Sequence, residues 1–455
     1  MERKGEVTVY LSLIFVLLIT LIGALIESAS IQMLKNYKRA DINRAIECMF
    51  AEYQKELLEE YDVFALEGTY ETGIYSEEQM ADRLDFYAGE NINHEIERIQ
   101  FLSDDNAKGF YEQVIYYMEH KYGISKFTDK TGITEIWKQQ EKKAENYEDT
   151  QKKYQNKLDG LLEENEGQLS EEGNPLTYMD ELKKMSILDL VMPKEKPISE
   201  KSISLGDTVS HRERQEGYGD FSDMEKESST VSNLLFGQYI LDHFSEATSK
   251  EAGGALDYEI EYMIGGKQSD RENLKEVVKK LLLLRFVPNY AYLQSSAEKK
   301  AEAEALALTL SAVMAVPAVT EAVAQMILLI WAYGEAIMDM RTLLNGGKVP
   351  LTKTDSSWQL SLSGLMELKD YGKVSDGKDS EDGMEYKEYL RILLFLCKKE
   401  TVSMRALDVI EQNLRSVHGM DFFRVDYCIS KIEIQSTCQF RRGITYQFST
   451  YYGYR

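Results

Sequence analysis

Hydrophobic positions run without a break from Val7 to Ile26 (VTVYLSLIFVLLITLIGALI). At 1.5 Å rise per residue, about 20 such residues match a hydrocarbon layer ~30 Å thick. The run predicts a transmembrane anchor at 7–26, carried by Val7, Tyr10, Leu13, Phe15, Leu18, Ile22 and Ile26, after a short tail at 1–6. Past the run the pattern changes. Ile42, Ile46, Met49, Tyr53, Leu57, Tyr61 and Phe64 recur every three or four residues, the stripe of an amphipathic helix. Neither Pro nor Gly interrupts Ala24 to Glu67. One helix is therefore expected from Glu6 to about Leu66, with 27–67 as a stalk whose stripe meets partner helices.

Two other readings of the N-terminus follow from its residues. A secretory signal has an apolar core of roughly 7–15 residues, shorter than this run, though the small residues Ser28 and Ser30 mark an alternative cleavage point. Arg3 and Lys4 precede the run, while Lys35, Lys38, Arg39 and Arg44 follow it. Counting those charges places the body in the cytoplasm, with only a six-residue tail to carry the signal.

Beyond Gly68 the periodicity predicts a helical module at 68–172, its later part charged nearly all round from Trp137 to Glu172. Residues 173–232 hold Pro175, Pro193 and Pro197 with many Ser and Glu, and read as a flexible linker. A C-terminal domain is expected at 233–455. Ser269 to Val287 gives an amphipathic helix capped by Asp270. The apolar block Ala301 to Leu344 is broken at Pro317 and interrupted by Glu321 and Glu335. It reads as a buried helix pair and not as a second span. After Asn345-Gly346-Gly347, the stretch VPLTKTDSSWQLSL predicts a short strand. Met384–Leu396 and Val402–Val417 read as helices. Ile432–Phe440 and Ile444–Tyr452 alternate around Arg441-Arg442-Gly443, a β-hairpin. The fold class is mainly α with a minor β part (α+β).

Charge narrows the partners. A net charge of −24 argues against nucleic acid, which needs clustered Lys and Arg. Six prolines in 455 residues favour helix. Cys48, Cys397, Cys428 and Cys438 are too scattered for a disulfide scaffold, and four thiols is the favoured reading, with a Cys428–Cys438 bridge as the alternative.

Catalytic signatures are sparse. His94, His120, His211, His243 and His418 show no metal-ligand spacing, and neither a P-loop nor a GxSxG elbow occurs. Trp331, Glu335 and Asp339 share one helical face, with Arg341 nearby. Such a carboxylate pair serves acid–base work or a cation, or else forms ion pairs with Arg405 or Arg285 in a helical core, the favoured reading. Asp257, Glu259 and Glu261 would share one face of a strand beside Gly265-Gly266, by default a solvated acidic edge. No cofactor, metal or small-molecule substrate is expected.

KGEVTVYLSLIFVLLITLIGALIESASIQ followed by RADINRAIECMFAEYQKELLEEYDVFAL resembles the N-terminus of the TadE/TadG-like pseudopilin group. More closely, with LDYEIEYMIGGKQSDRENL, ILLIWAYGEAIMDMRTLLNGGKVPLTKTDSSWQL and YKEYLRILLF, the chain resembles an uncharacterised family of Gram-positive membrane proteins, domain of unknown function 5702, associated with Tad-type pilus loci. The resemblance implies an exported body and pilin-like or Tad-type assembly partners beside the lipid bilayer. Processed pilins carry Glu five residues after the cleaved Gly. Here Glu6 follows Gly5 directly and Tyr10 holds the fifth position, so Gly5 and Glu6 form a processing site that departs from the pattern. The Asp-x-Ser-x-Ser metal motif of larger TadG-like proteins is missing. The expected function is a membrane-anchored, non-enzymatic accessory component of a Tad-like pilus or surface assembly. A tethered or secreted surface-binding protein is the alternative, and a hydrolase using Glu335 and Asp339 ranks last.

Overall fold

The computed structural model describes residues 3–88, 92–124, 131–164, 185–221, 229–249, 253–313, 316–368, 377, 379–440 and 443–454. They divide into two units. The first combines 1–105, 214–225 and 422–455, and the second 106–213 and 226–421.

In the first unit, α1 (Arg3–Phe50) is a single helix of 48 residues, about 72 Å long. It ends sixteen residues before the expected Leu66. The chain turns at 51–54 because tertiary partners replace the helical bonds. Glu52 accepts from Arg83 Nε at 2.8 Å and from the Tyr87 hydroxyl at 2.6 Å, and the Gln54 amide donates to the Ala65 carbonyl at 2.8 Å. A short α2 (Lys55–Tyr61) then buries Leu57 and Tyr61 before β1 (Leu66–Glu67). The expected stalk at 27–67 is thus a helix, a turn, a second helix and a strand.

α3 (Glu77–Ala88) and β2 (Ile92–Phe101) follow. The C-terminal hairpin forms as expected, from β3 (Cys428–Gln439) and β4 (Thr445–Gly453). β3 also pairs antiparallel with β2, from Ile92↔Cys438 to Phe101↔Ile429, and with β1 through Leu66↔Ile429. β2 and β4 pair with the same stretch of β3, so they occupy its opposite edges. The hairpin therefore belongs to the N-terminal unit, and not to a C-terminal domain at 233–455.

The core of this unit lies between α1, α3 and the sheet. Ile42, Ala45, Ile46, Met49 and Phe50 of α1 meet Leu84, Ile92, Ile432, Ile434 and Phe448. α1 also runs alongside β4. Lys35 Nζ lies 4.9 Å from the Tyr446 ring centroid, Thr450 Oγ1 lies 3.4 Å from Asn43 Oδ1, and the Phe50 and Tyr452 rings are 4.5 Å apart. Eight helical residues and four strand residues each advance about 12–13 Å, which keeps the two elements in step.

The second unit is helical: α4 (Asp104–Tyr122), α5 (Thr131–Glu145), α6 (Tyr147–Glu164), α7 (Ile187–Val191), α8 (Thr230–His243), α9 (Glu259–Gly265), α10 (Asp270–Ser295), α11 (Ala297–Val313), α12 (Thr320–Leu344), α13 (Tyr386–Leu396) and α14 (Lys399–His418). The charged stretch forms α5 and α6, and its end beyond 164 lies outside the described residues. α10 starts one residue earlier than the Asp270 cap implies, because Ser269 caps it by accepting from the Glu272 amide. α11 and α12 are the helix pair flanking Pro317. α12 is apolar enough to cross a membrane, but 89 % of its most apolar stretch is buried in the protein, so it is the core helix of this unit. VPLTKTDSSWQLSL forms turns with one isolated bridge, Val349↔Met384, in place of a strand.

The expected linker at 173–232 is tied to the fold at several of its described residues, although many others are exposed. Leu188, Leu190 and Val191 are buried, Ser199 Oγ donates to Asp270 at 2.6 Å, and the Ser210 amide donates to Asp408 at 2.8 Å. Its stretches 173–184 and 222–228 lie outside the described residues.

Candidate functional site

The large apolar side chains from Val7 to Ile26 are 42–69 % exposed, Tyr10, Leu13, Phe15, Leu18, Ile22 and Ile26 among them. α1 is long and apolar enough to cross a membrane. Burying a large apolar side chain is worth about 1.5–3 kcal/mol. Leaving this whole run in water therefore forfeits on the order of 20 kcal/mol, more than the ~5–15 kcal/mol that holds a domain folded. Lipid removes that deficit. Glu6 lies in the first turn of the same helix, just after Gly5.

The seven residues expected to meet partner helices serve mainly the chain's own core. Ile42, Ile46, Met49, Leu57 and Tyr61 are buried. Tyr53 and Phe64 stack edge to face at 5.1 Å, and Phe64 stacks on Tyr454 at 5.6 Å. The helical face that does remain apolar and open beyond the span carries Met33, Leu34 and Tyr37. Periodicity locates a stripe but does not say which neighbour covers it.

Glu335 and Asp339 sit one turn apart on α12, both fully buried. Lys353 Nζ donates to Glu335 Oε1 at 2.6 Å, to Asp339 Oδ1 at 2.7 Å and to the Ser357 carbonyl at 3.1 Å. Arg285 Nε donates to Asp339 Oδ2 at 3.0 Å, and Asn289 Nδ2 does so at 3.1 Å. Arg285 continues to the Tyr389 hydroxyl and the Leu351 carbonyl, both at 3.0 Å. Glu335 also takes the backbone amides of Gln359 at 3.0 Å and Leu360 at 2.8 Å. Trp331, on the same face, donates its indole N–H to the Leu360 carbonyl at 2.8 Å.

Two cations thus face two carboxylates. Burial raises the Asp339 pKa, but Arg285 and Lys353 outweigh it and hold the group below the usual carboxylate range. Burial pushes Glu335 the other way, against the pull of Lys353. The ionic side chains are 0–1 % exposed and each carboxylate oxygen has a donor, so no face is open to a substrate or a hydrated cation. The network instead ties the 349–360 loop to α10 and α12. The sequence reading pointed to Arg285, and Lys353 escaped it, because a lysine in a polar loop reads as solvated. Arg405 and Arg341 bind backbone carbonyls instead, Arg405 those of Met263 and Ile264, Arg341 those of Leu190 and Leu368.

Asp257, Glu259 and Glu261 do not form a strand edge. Glu259 and Glu261 open helix α9 and are buried. Glu259 receives the Ser245 amide at 2.8 Å and Asn413 Nδ2 at 2.6 Å, while Asp257 pairs with Lys201 at 2.7 Å. Glu261 Oε1 receives the Ala247 amide at 2.9 Å and the Tyr386 hydroxyl at 2.8 Å, and its Oε2 is buried without a hydrogen bond. Burial and the nearby Glu246 push the Glu261 carboxyl up to about 8. Among the described residues no three His, Cys, Asp or Glu side chains are grouped to hold a metal, and all four cysteines are free thiols.

Residues 165–440, more than half of the chain, match a family of unknown function, DUF5702. The chain belongs to that family. The matched span contains Arg285, Glu335, Asp339 and Lys353, whereas the anchor of this DUF5702 protein lies outside it. Comparisons with curated proteins and with solved structures find no match.

Proposed function

We propose that this DUF5702 protein is a membrane-anchored, pseudopilin-like accessory component of a Tad-like pilus or cell-surface assembly, non-enzymatic, with its body outside the cell. The observation that supports this reading is α1. One continuous helix leaves a membrane-length apolar run uncovered and then lies along β4 of a four-stranded sheet. An anchor built this way holds the folded unit at a fixed distance from the bilayer, because no flexible joint separates the two. Pilin-like partners then meet the open face at Met33, Leu34 and Tyr37, since the opposite face is used by the protein's own core. The buried charge network supports a structural role for the two carboxylates of α12, which have no access to a substrate.

Protease shaving of intact cells expressing a C-terminally tagged chain tests the proposal, with mass spectrometry of the mature N-terminus. Loss of the tag with an anchored chain starting at Met1 or at Glu6 is expected, the second start indicating processing after Gly5. A tag protected from protease would place the body in the cytoplasm and overturn the reading.

A further inference from the structure

Between α7 and the first turn of α10 the second unit holds an open cavity of about 420 Å³. That volume falls within the roughly 300–1,000 Å³ of small-molecule sites. One wall is apolar, made of Leu188, Met192, Pro193 and Ile198.

The charged groups on the remaining wall are unequally matched. Arg271 pairs with Glu200 at 3.1 Å, which neutralises both. Asp189, Lys194 and Lys196 remain, and among the described residues neither lysine has a carboxylate within ion-pair distance. In a chain of net charge −24, the groups left over on this wall, one carboxylate and two ammoniums, therefore sum to a net positive charge. Lys196 is half-buried, and burial lowers its pKa while Glu246 and Glu261 partly offset the shift. An ammonium drawn partly out of water without an acceptor carries an unfavourable desolvation cost, which an incoming anion relieves.

We propose that this cavity binds a small organic anion, with its oxyanion between Lys194 and Lys196 and a short apolar group against Met192, Pro193 and Ile198. Lysine ammoniums are point charges on flexible stems, so they suit either a carboxylate or a phosphate monoester. The assignment is independent of the assembly reading, because the cavity belongs to the second unit alone.

The test is isothermal titration of the full chain in detergent micelles with benzoate, phenyl phosphate and neutral benzamide. Saturable binding of benzoate or phenyl phosphate with a Kd of about 1 mM or tighter is expected, and none for benzamide. Which anion binds tells a carboxylate ligand from a phosphate one. Lys194→Ala and Lys196→Ala should each weaken binding at least ~tenfold, while Lys348→Ala, a residue paired with Glu385, leaves it unchanged. Reductive methylation of the unaltered protein, read by mass spectrometry, should show Lys196 protected by the anion that binds. That readout stands even where a lysine variant misfolds. No saturable binding of either anion up to ~10 mM, or a bound anion that leaves Lys196 fully reactive, would overturn the assignment.

Discussion

Lys353 places its ammonium 2.6 Å from Glu335 and 2.7 Å from Asp339, and all three side chains are sealed from solvent. A buried cation shared by two carboxylates one helical turn apart stabilises the ionised forms only while it is present. Lys353→Met removes one of the two cations of the network and leaves Glu335 with only the backbone amides of Gln359 and Leu360, while Asp339 keeps Arg285 and Asn289. Removal of one partner of a buried ion cluster costs about 3–5 kcal/mol. Urea unfolding of the full chain in micelles should show that loss. Lys353→Met combined with Glu335→Gln should recover part of it, and a single variant as stable as the native chain would refute the account.

Glu261 makes stability depend on pH. Its folded pKa of about 8 lies above the ordinary 4.5, so the folded state holds a proton that the unfolded chain releases between those values. Stability contributed by this group is full below about pH 4.5 and falls as pH rises towards 8, by roughly 4–5 kcal/mol in all. Glu261→Gln keeps the shape of the protonated group and should flatten the fall. Melting temperatures of both proteins between pH 5.5 and pH 8.5 check this, and parallel curves would count against it.

Ile46 and Tyr37 lie on opposite faces of α1, one buried and one 64 % exposed. Ile46→Glu places a charge in the core of the first unit and should expose α3 and the sheet to proteolysis. Tyr37→Glu should change stability by no more than about 0.5 kcal/mol, as exposed substitutions usually do. It should nevertheless abolish crosslinking of the anchored chain to its assembly partners. Limited proteolysis and in-cell crosslinking separate the two effects.

Leu13→Arg together with Leu17→Arg puts two charges near the middle of the apolar run. Each costs about 2.5–3.5 kcal/mol at that depth. The double variant should move from the carbonate-resistant membrane fraction to the soluble fraction. Retention in the membrane would mean that α1 is not the anchor.

Much of the secondary structure was legible from neighbouring residues. The 7–26 run, the helix pair about Pro317, the helices α13 and α14 and the hairpin near the C-terminus each depend on spacing within a few turns or along one strand. β2 was missed because its exposed face is charged and half of its pattern, INHEIERIQF, reads as polar helix. The end of α1 was missed because Glu52 finds its partners, Arg83 and Tyr87, more than thirty residues away. The residues 185–221 read as a linker because their anchors are single side chains, such as Ser199 on Asp270 and Ser210 on Asp408.

The sequence by itself determined the membrane-length helix, the helical character and the absence of familiar catalytic motifs, because each is written in residues close together along the chain. Only the tertiary structure decided which faces are covered, that the C-terminal hairpin completes an N-terminal sheet, and that Lys353 and Arg285 neutralise the carboxylates of α12. Those outcomes depend on pairings between distant segments. Local periodicity fixes the phase of a stripe but carries no information about the partner that burial selects for it.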